Sequence, residues 1–551
     1  MKNMITTSIK TKTISFSLIF CLFTCSTIFT SCADSEMEQL TVSEPETLTA
    51  YDYLKSLDVL KAYDPQVGVA MNADTFLEKG MEYRIAVANF GQLAPVMLFN
   101  HQKIVKASGT LDTKKLVNVI GLARQHNMSL LGAPLISHRN QNVTFLNACL
   151  SPNVIRPEGD DGGYALKITN GALTALADAQ VTYSFAKTPQ VEPGIKYKLK
   201  MMVRGTAEGT VQVSTYSNGK GSRFTPNISV TKEWQEVELM TTMAAGIKGL
   251  TSILFSLGNY VGTLFVDNIE LFEVDKKGYE VTDNLNTVNT NLDDAEQTAA
   301  SVAIQTNTGG TIEEAGVSLL GEGYDPLAQY VEKTAEEKQK ILTAEMQRYL
   351  TGVMSTCGDC VKDWIVVSEP LATDDGDPTS FFWKNYLGDN YAVTAFRQAA
   401  TQTNGRLYIG GGTLDTNAKA QALANYVTKI EMLGARIDGI TIEILEDLSS
   451  TTDYAQIFQT LAATGKLIKI ADLYVDIAGT PVDNISEEQL KQQAAKLTTI
   501  LNAYRANVPQ AQRGGIIWHQ VLDGDKPLGL WAKDYNRKHV YGSLATYLGE
   551  K

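Results

Sequence analysis

Cys357 and Cys360 have the Cys-x-x-Cys spacing of a redox motif. The pair precedes an apolar strand, Trp364-Ile365-Val366-Val367, instead of opening a helix after one. A local disulfide in an oxidising compartment suits that position better than redox catalysis. The five histidines, His101, His126, His138, His519 and His539, show no metal-ligand spacing, so no catalytic metal is expected. Gly410-Gly411-Gly412 is followed by no Lys-Ser/Thr, so it is no phosphate loop and reads as a collapsed loop.

The elements that would carry such groups alternate in type. Lys114 to His126 predicts an amphipathic helix, with Leu116, Val119, Ile120 and Ala123 on one face. Ala86 to Phe90 predicts one early strand and Ser129 to Ile136 a second. From Glu336 onward the alternation resumes. Helices are expected at 336–354, 391–400, 419–432 and 487–506, and strands at 364–367, 406–409, 439–444, 467–473 and 514–518. That rhythm is the signature of parallel strands joined by helices.

Between the two blocks the period changes to two. Tyr197 to Val203, Gly209 to Val213 and Thr263 to Leu271 predict strands of an all-β sandwich. The expected class is α/β, a (β/α)₈ TIM barrel interrupted after strand 2 by an all-β jelly-roll sandwich. The expected boundaries are 51–141 for the first part of the barrel, 142–275 for the sandwich, 276–330 for a Thr-, Asn- and Gly-rich linker or long loop, and 331–551 for the rest.

The chain has 551 residues, 44% hydrophobic and 20% charged, which is ordinary for a folded protein. Its net charge of −13 argues against nucleic acid, whose phosphates need clustered Lys and Arg. A neutral polysaccharide partner is compatible with that charge. Lys2, Lys10 and Lys12 precede the apolar run Ile14 to Phe29, as in a secretory signal. Phe29-Thr30-Ser31-Cys32 resembles a loose bacterial lipobox, with Cys32 as the lipidated residue. Residues 1–31 are then the signal and 32–50 an acidic tether; a plain signal peptide or a short anchor helix is the alternative. The expected location is outside the cytoplasm, lipid-anchored at the outer membrane and facing outward.

Several segments, in order, resemble family 10 glycoside hydrolases, the endo-1,4-β-xylanase family. Val361-Lys362-Asp363-Trp364-Ile365-Val366-Val367-Ser368-Glu369-Pro370 is similar to the family's acid/base segment. Lys469-Ile470-Ala471-Asp472-Leu473 is similar to its nucleophile segment. Gly132 to His138, Ile437-Asp438-Gly439-Ile440 and the closing stretch from Ile517 to Tyr541 resemble others. The sandwich resembles carbohydrate-binding modules inserted in xylanases of gut Bacteroidetes.

The resemblance implies a retaining mechanism, with two carboxylates about 5–5.5 Å apart at C-terminal strand ends. Glu369 takes the acid/base position and Asp472 the nucleophile position. Asp472 is one methylene shorter than the family's glutamate, which withdraws its carboxylate by about 1.5 Å. The sugar-gripping positions also depart: Met97 and Asn100, Ala133, Ser137, Ser368, Gly410 to Gly412, Leu445 and Tyr474 replace family residues. His138 is retained and Glu443 stands where the family has glutamine, so both are candidate substrate contacts. Glu443 and Glu446 suit a solvated loop better than replacement catalysts. Trp518 and Trp531 are candidate substrate contacts, Trp531 the better sugar platform. Phe381-Phe382-Trp383 and Tyr386 could stack on sugars and suit the core equally.

Two functions stay open. One is capture of a xylan-like β-glycan with weak or no hydrolysis. The other is an active retaining endo-β-glycosidase of altered substrate. No cofactor is required for either, though the sandwich could hold a structural calcium ion. The lipid anchor is the expected membrane contact, and outer-membrane glycan-uptake proteins are the expected partners.

Overall fold

The computed structural model describes residues 51–550 apart from 133, 158–162, 218–220 and 321–322. The signal, the tether, Cys32 and Ala133 therefore lie outside the described residues. Parallel strands close into an eight-membered barrel in the order of the chain. They are β1 (Gly68–Asn72), β2 (Gln92–Val96), β3 (Ser129–Gly132), β4 (Val361–Ser368), β5 (Arg406–Thr413), β6 (Gly439–Asp447), β7 (Leu467–Asp476) and β8 (Arg513–Trp518). The ring closes where Gly68 pairs with Ile517. Among the described residues no helix is long and apolar enough to cross a membrane.

The sandwich interrupts the barrel after its third strand, not its second. Gly68–Asn72 is a short strand between short helices and offers little period to read. The apolar run at Ala86 lies in the helix Met81–Asn89, and the strand follows it at Gln92–Val96. A run of four or five apolar residues fits either element, and packing against the barrel decides it.

The insert is two five-stranded sheets. One runs in the order Gln235–Thr242, Lys196–Gly205, Gly262–Glu273, Ala165–Asn170, Ile312–Leu320. The other runs Val302–Asn307, Ala179–Ser184, Ser252–Ser256, Gly209–Tyr216, Ile228–Val230. All neighbours are antiparallel. Leu199, Val203, Val213, Phe255 and Leu264 bury the space between the sheets. The stretch 276–330 is thus no linker. It holds the helix Ala295–Ser301 and contributes a strand to each sheet. Its apolar anchors, Leu292, Val302, Ile304 and Ile312, are few, so turn-forming residues dominate its composition.

The cysteine pair also differs from expectation. Cys357 ends the helix Ala335–Cys357, Cys360 ends the 3-10 turn after it, and both are free thiols. Burial pushes the Cys357 thiol up to about 12 and raises Cys360 as well.

Inside the barrel, Leu131, Ile365, Tyr408 and Ile517 form an apolar layer. Nearer the N-terminal ends sits a polar one. The Asp363 carboxylate accepts from Arg406 Nε at 2.6 Å, Gln92 Nε2 at 3.2 Å and Lys469 Nζ at 3.3 Å. Lys469 also donates to the Gly514 carbonyl at 3.0 Å. Its side chain is 0% exposed, and burial lowers its pKa. Breaking such a pair on one side leaves a buried charge without compensation. Asp363→Leu is therefore expected to destabilise the fold by about 3–5 kcal/mol in denaturant unfolding. Adding Lys469→Met should recover part of that loss.

Candidate functional site

The barrel mouth is built by the ends of neighbouring strands. At the end of β4, Ser368 N–H donates to the Ile136 carbonyl at 2.9 Å, and Glu369 N–H donates to the Gly410 carbonyl at 2.8 Å. Glu369 itself adopts φ 50°, left-handed backbone that a side chain enters at some cost. Gly412, at φ 61°, comes so close that a Cβ there would lie 2.9 Å from Glu369 Cγ. Gly410 to Gly412 are accordingly not a collapsed loop. They form the C-terminal part of β5, and Gly412, which has no side chain, leaves room for the Glu369 carboxyl.

The register carries the arc onward. Thr413 of β5 pairs with Glu443 of β6, and Glu443 pairs with Asp472 of β7. Leu473 of β7 pairs with Trp518 of β8, which places His519 beside Asp472. His519 Nδ1 lies 2.9 and 3.1 Å from the two Asp472 oxygens, so it is an N–H donor to both. Tyr474 meets the His519 ring edge-on at 4.9 Å. Sequence reasoning passed over this histidine as a partner for Asp472. Its one signal was the position directly after Trp518 at a barrel strand end.

Glu443 is the most perturbed acid in this arc. Burial, then the nearby Asp472 and Glu369 carboxylates, push its pKa up to about 7. Arg139 and His519 oppose that shift. Glu443 thus holds a proton across a range where an ordinary glutamate is charged. It lies in a strand and not in a solvated loop, as does Glu446. Glu446 is buried and accepts from Tyr454 at 2.6 Å and Thr452 at 2.9 Å, which ties β6 to the next helix.

His138 borders the same mouth. Its ring stacks on Phe382 at 5.0 Å, and its carbonyl accepts from Phe381 N–H at 2.8 Å. Burial lowers its pKa against the pull of Glu369, and its Nδ1 has no protein partner. Phe381 and Trp383 are buried in the core beside it. The tryptophans expected at the mouth are not available to a ligand. Trp518 is 0% exposed and donates to the Leu528 carbonyl at 2.9 Å. Trp531 is 4% exposed and packs edge-on against Phe90 and Tyr541. Their indoles fill the gap between barrel and closing helix, where burial of large apolar area is favoured.

The site therefore gathers Glu369, Glu443, Asp472, His519 and His138, with Arg139 acting on it electrostatically. Among the described residues no group of three or more His, Cys, Asp or Glu side chains is set to hold a metal ion. What the arrangement can do chemically is hold a proton between carboxylates and present hydrogen-bond acceptors to a hydroxylated ligand.

Comparison with known proteins places this architecture. Residues 324–546 match the model of glycosyl hydrolase family 10. Endo-1,4-beta-xylanase A of Cellvibrio japonicus is 28% identical over 209 residues, covering 33% of this chain and 34% of the relative. The thermostable celloxylanase of Thermoclostridium stercorarium is 30% identical over 129 residues, covering 23% of this chain and 33% of the relative. The chain thus spans about a third of the length of these relatives. Xylanase B from Clostridium stercorarium F9 shares the fold at a TM-score of 0.50, with 12% identity, covering 89% of this chain and 99% of that structure. The barrel segment 324–546 of this chain belongs to glycosyl hydrolase family 10.

Proposed function

We propose that this chain captures a xylan-like β-glycan at its barrel mouth, with weak or no hydrolysis. The observation that carries this reading is the state of Asp472. His519 engages both of its oxygens, and its side chain is a methylene short for the nucleophile position. Displacing a reacting group on the 1 Å scale costs about 10²-fold in rate. Xylanases among the relatives support the glycan class, and the net charge of −13 suits a neutral polymer. In this reading Cys32 bears the lipid that holds the protein at the outer membrane, beside glycan-uptake partners, and any calcium ion in the sandwich is structural.

A second reading, a retaining endo-β-glycosidase with Glu369 as acid/base and Asp472 as nucleophile, is favoured by Glu443. A protonated Glu443 relieves the repulsion among three crowded carboxyls at the barrel mouth.

The experiment pairs retention in xylan-containing gels with release of reducing ends by the purified protein. Retention without turnover is expected, with Glu369→Ala changing retention by less than about twofold, a small fraction of a 1.4 kcal/mol decade. Turnover abolished by both Glu369→Ala and Asp472→Ala would establish the glycosidase instead.

The folded-state pKa of Glu443 stands above its ordinary value of 4.5, at about 7. Its contribution to stability is thus present below pH 4.5 and lost as pH rises through 7. Glu443→Gln cannot ionise and should escape that loss. Relative to the parent, its unfolding free energy should rise with pH over this window by up to about 3 kcal/mol, at about 1.4 kcal/mol per pH unit. Parallel stability curves for parent and variant would remove Glu443 from the titration.

A further inference from the structure

The barrel and the sandwich meet along an open groove of about 320 Å³. One wall is the segment after β4, where Phe382, Asn385 and Tyr386 line it. The other is sandwich, where Glu208 and Lys232 are exposed beside Thr206. Phe382 belongs to both sites: it lines the groove, and its ring stacks on His138 at the mouth. The groove therefore begins where the mouth ends, on the side that carries Glu369.

The two walls are held in place. Two chain crossings join barrel to sandwich, and these crossings pair as the ribbon Asn153–Ile155 with Gln329–Val331. Beside that ribbon the Arg204 guanidinium is buried, 4.1 Å from the Phe265 ring centroid, 5.5 Å from Trp234 and 5.8 Å from Tyr330. On the barrel wall, Tyr386 stacks on Phe381 at 5.4 Å, and Asn385 donates to Asp374 at 2.9 Å.

The lining matches a hydroxyl-rich chain. Tyr386 offers aromatic surface, Asn385 offers both donor and acceptor, Lys232 donates and Glu208 accepts. The carboxylates of Glu208 and Asp374 beside Lys232 disfavour a polyanion.

We propose that this groove is a second glycan-binding stretch, which takes the part of a β-glycan running out of the barrel mouth past Phe382. The inference rests on the reading above, that the mouth itself takes such a chain. Mouth and groove then grip one polymer, and the second contact acts at the high effective concentration set by the first. A ligand too short to pass Phe382 gains nothing from the sandwich wall.

The test measures binding of short and long β-1,4-xylo-oligosaccharides to the full chain by calorimetry. The variants are Lys232→Ala/Glu208→Ala on the sandwich wall and Tyr386→Ala on the barrel wall. The parent should bind long chains more tightly than short ones. Each variant should lose about tenfold on long chains, about 1.4 kcal/mol, and keep its affinity for short ones. Unchanged short-chain binding also reports an intact fold. If the parent gains nothing with length, or the variants weaken short and long chains alike, the groove is not a glycan stretch while capture at the mouth stands. If the parent binds neither length, the reading of the mouth fails and the groove proposal falls with it.

Discussion

Hydrogen-bonded parallel strands stand about 4.8 Å apart, and that spacing governs the mouth of this barrel. Glu443 and Asp472 are register partners on β6 and β7, so the ladder holds their backbones side by side at the mouth. Two unit charges at about 4 Å repel by roughly 1 kcal/mol in water and about 4 kcal/mol near a protein surface. The fold resolves that repulsion in two ways. Glu443 keeps a proton, and Asp472 gains the His519 N–H on its far side. Glu369 joins the same arc because Gly412 on β5 leaves it space.

The interior below the mouth makes this crowding tolerable. Asp363, Arg406, Lys469 and Gln92 bind strands β4, β5, β7 and β2 through one carboxylate. Above them the layer of Leu131, Ile365, Tyr408 and Ile517 separates that network from the mouth. The strand ends are thus fixed from beneath. Side chains at the mouth can therefore vary without loss of the barrel beneath them.

Much of this was legible from residue order. Lys114–Gln125 shows its buried face as Leu116, Val119, Ile120 and Ala123, at helical spacing. The long helix before β4 opens with the capping box of Thr334 and Glu337. That Glu369 and Asp472 share the barrel mouth was readable because each follows an apolar strand run within a motif. Other features depend on contacts distant in sequence. The first strand, Gly68–Asn72, exists because Ile517 and Gln92 flank it. The strands Val302–Asn307 and Ile312–Leu320 complete sheets begun far earlier, and their Thr and Asn look like loop. The His519–Asp472 pair spans two strands and has no local pattern. Trp518 and Trp531 sit near the mouth in sequence, but only packing reveals that their indoles point into the core.

The point of insertion explains why the sandwich matters to the mouth. It enters between β3 and the helix Ala335–Cys357, which leads into β4. In a barrel of this kind, connections from strand to helix lie at the C-terminal ends of the strands, the end that carries the chemistry. An insert in a helix-to-strand connection would hang from the opposite end. Here it leaves through His138 and the helix Val143–Cys149, and returns along the strand Gln329–Val331. Both crossings thus stand on the face that holds Glu369, Glu443 and Asp472. A domain placed there borders the mouth, and its segments at Thr206 and Lys232 face the barrel segment that carries Phe382 and Tyr386.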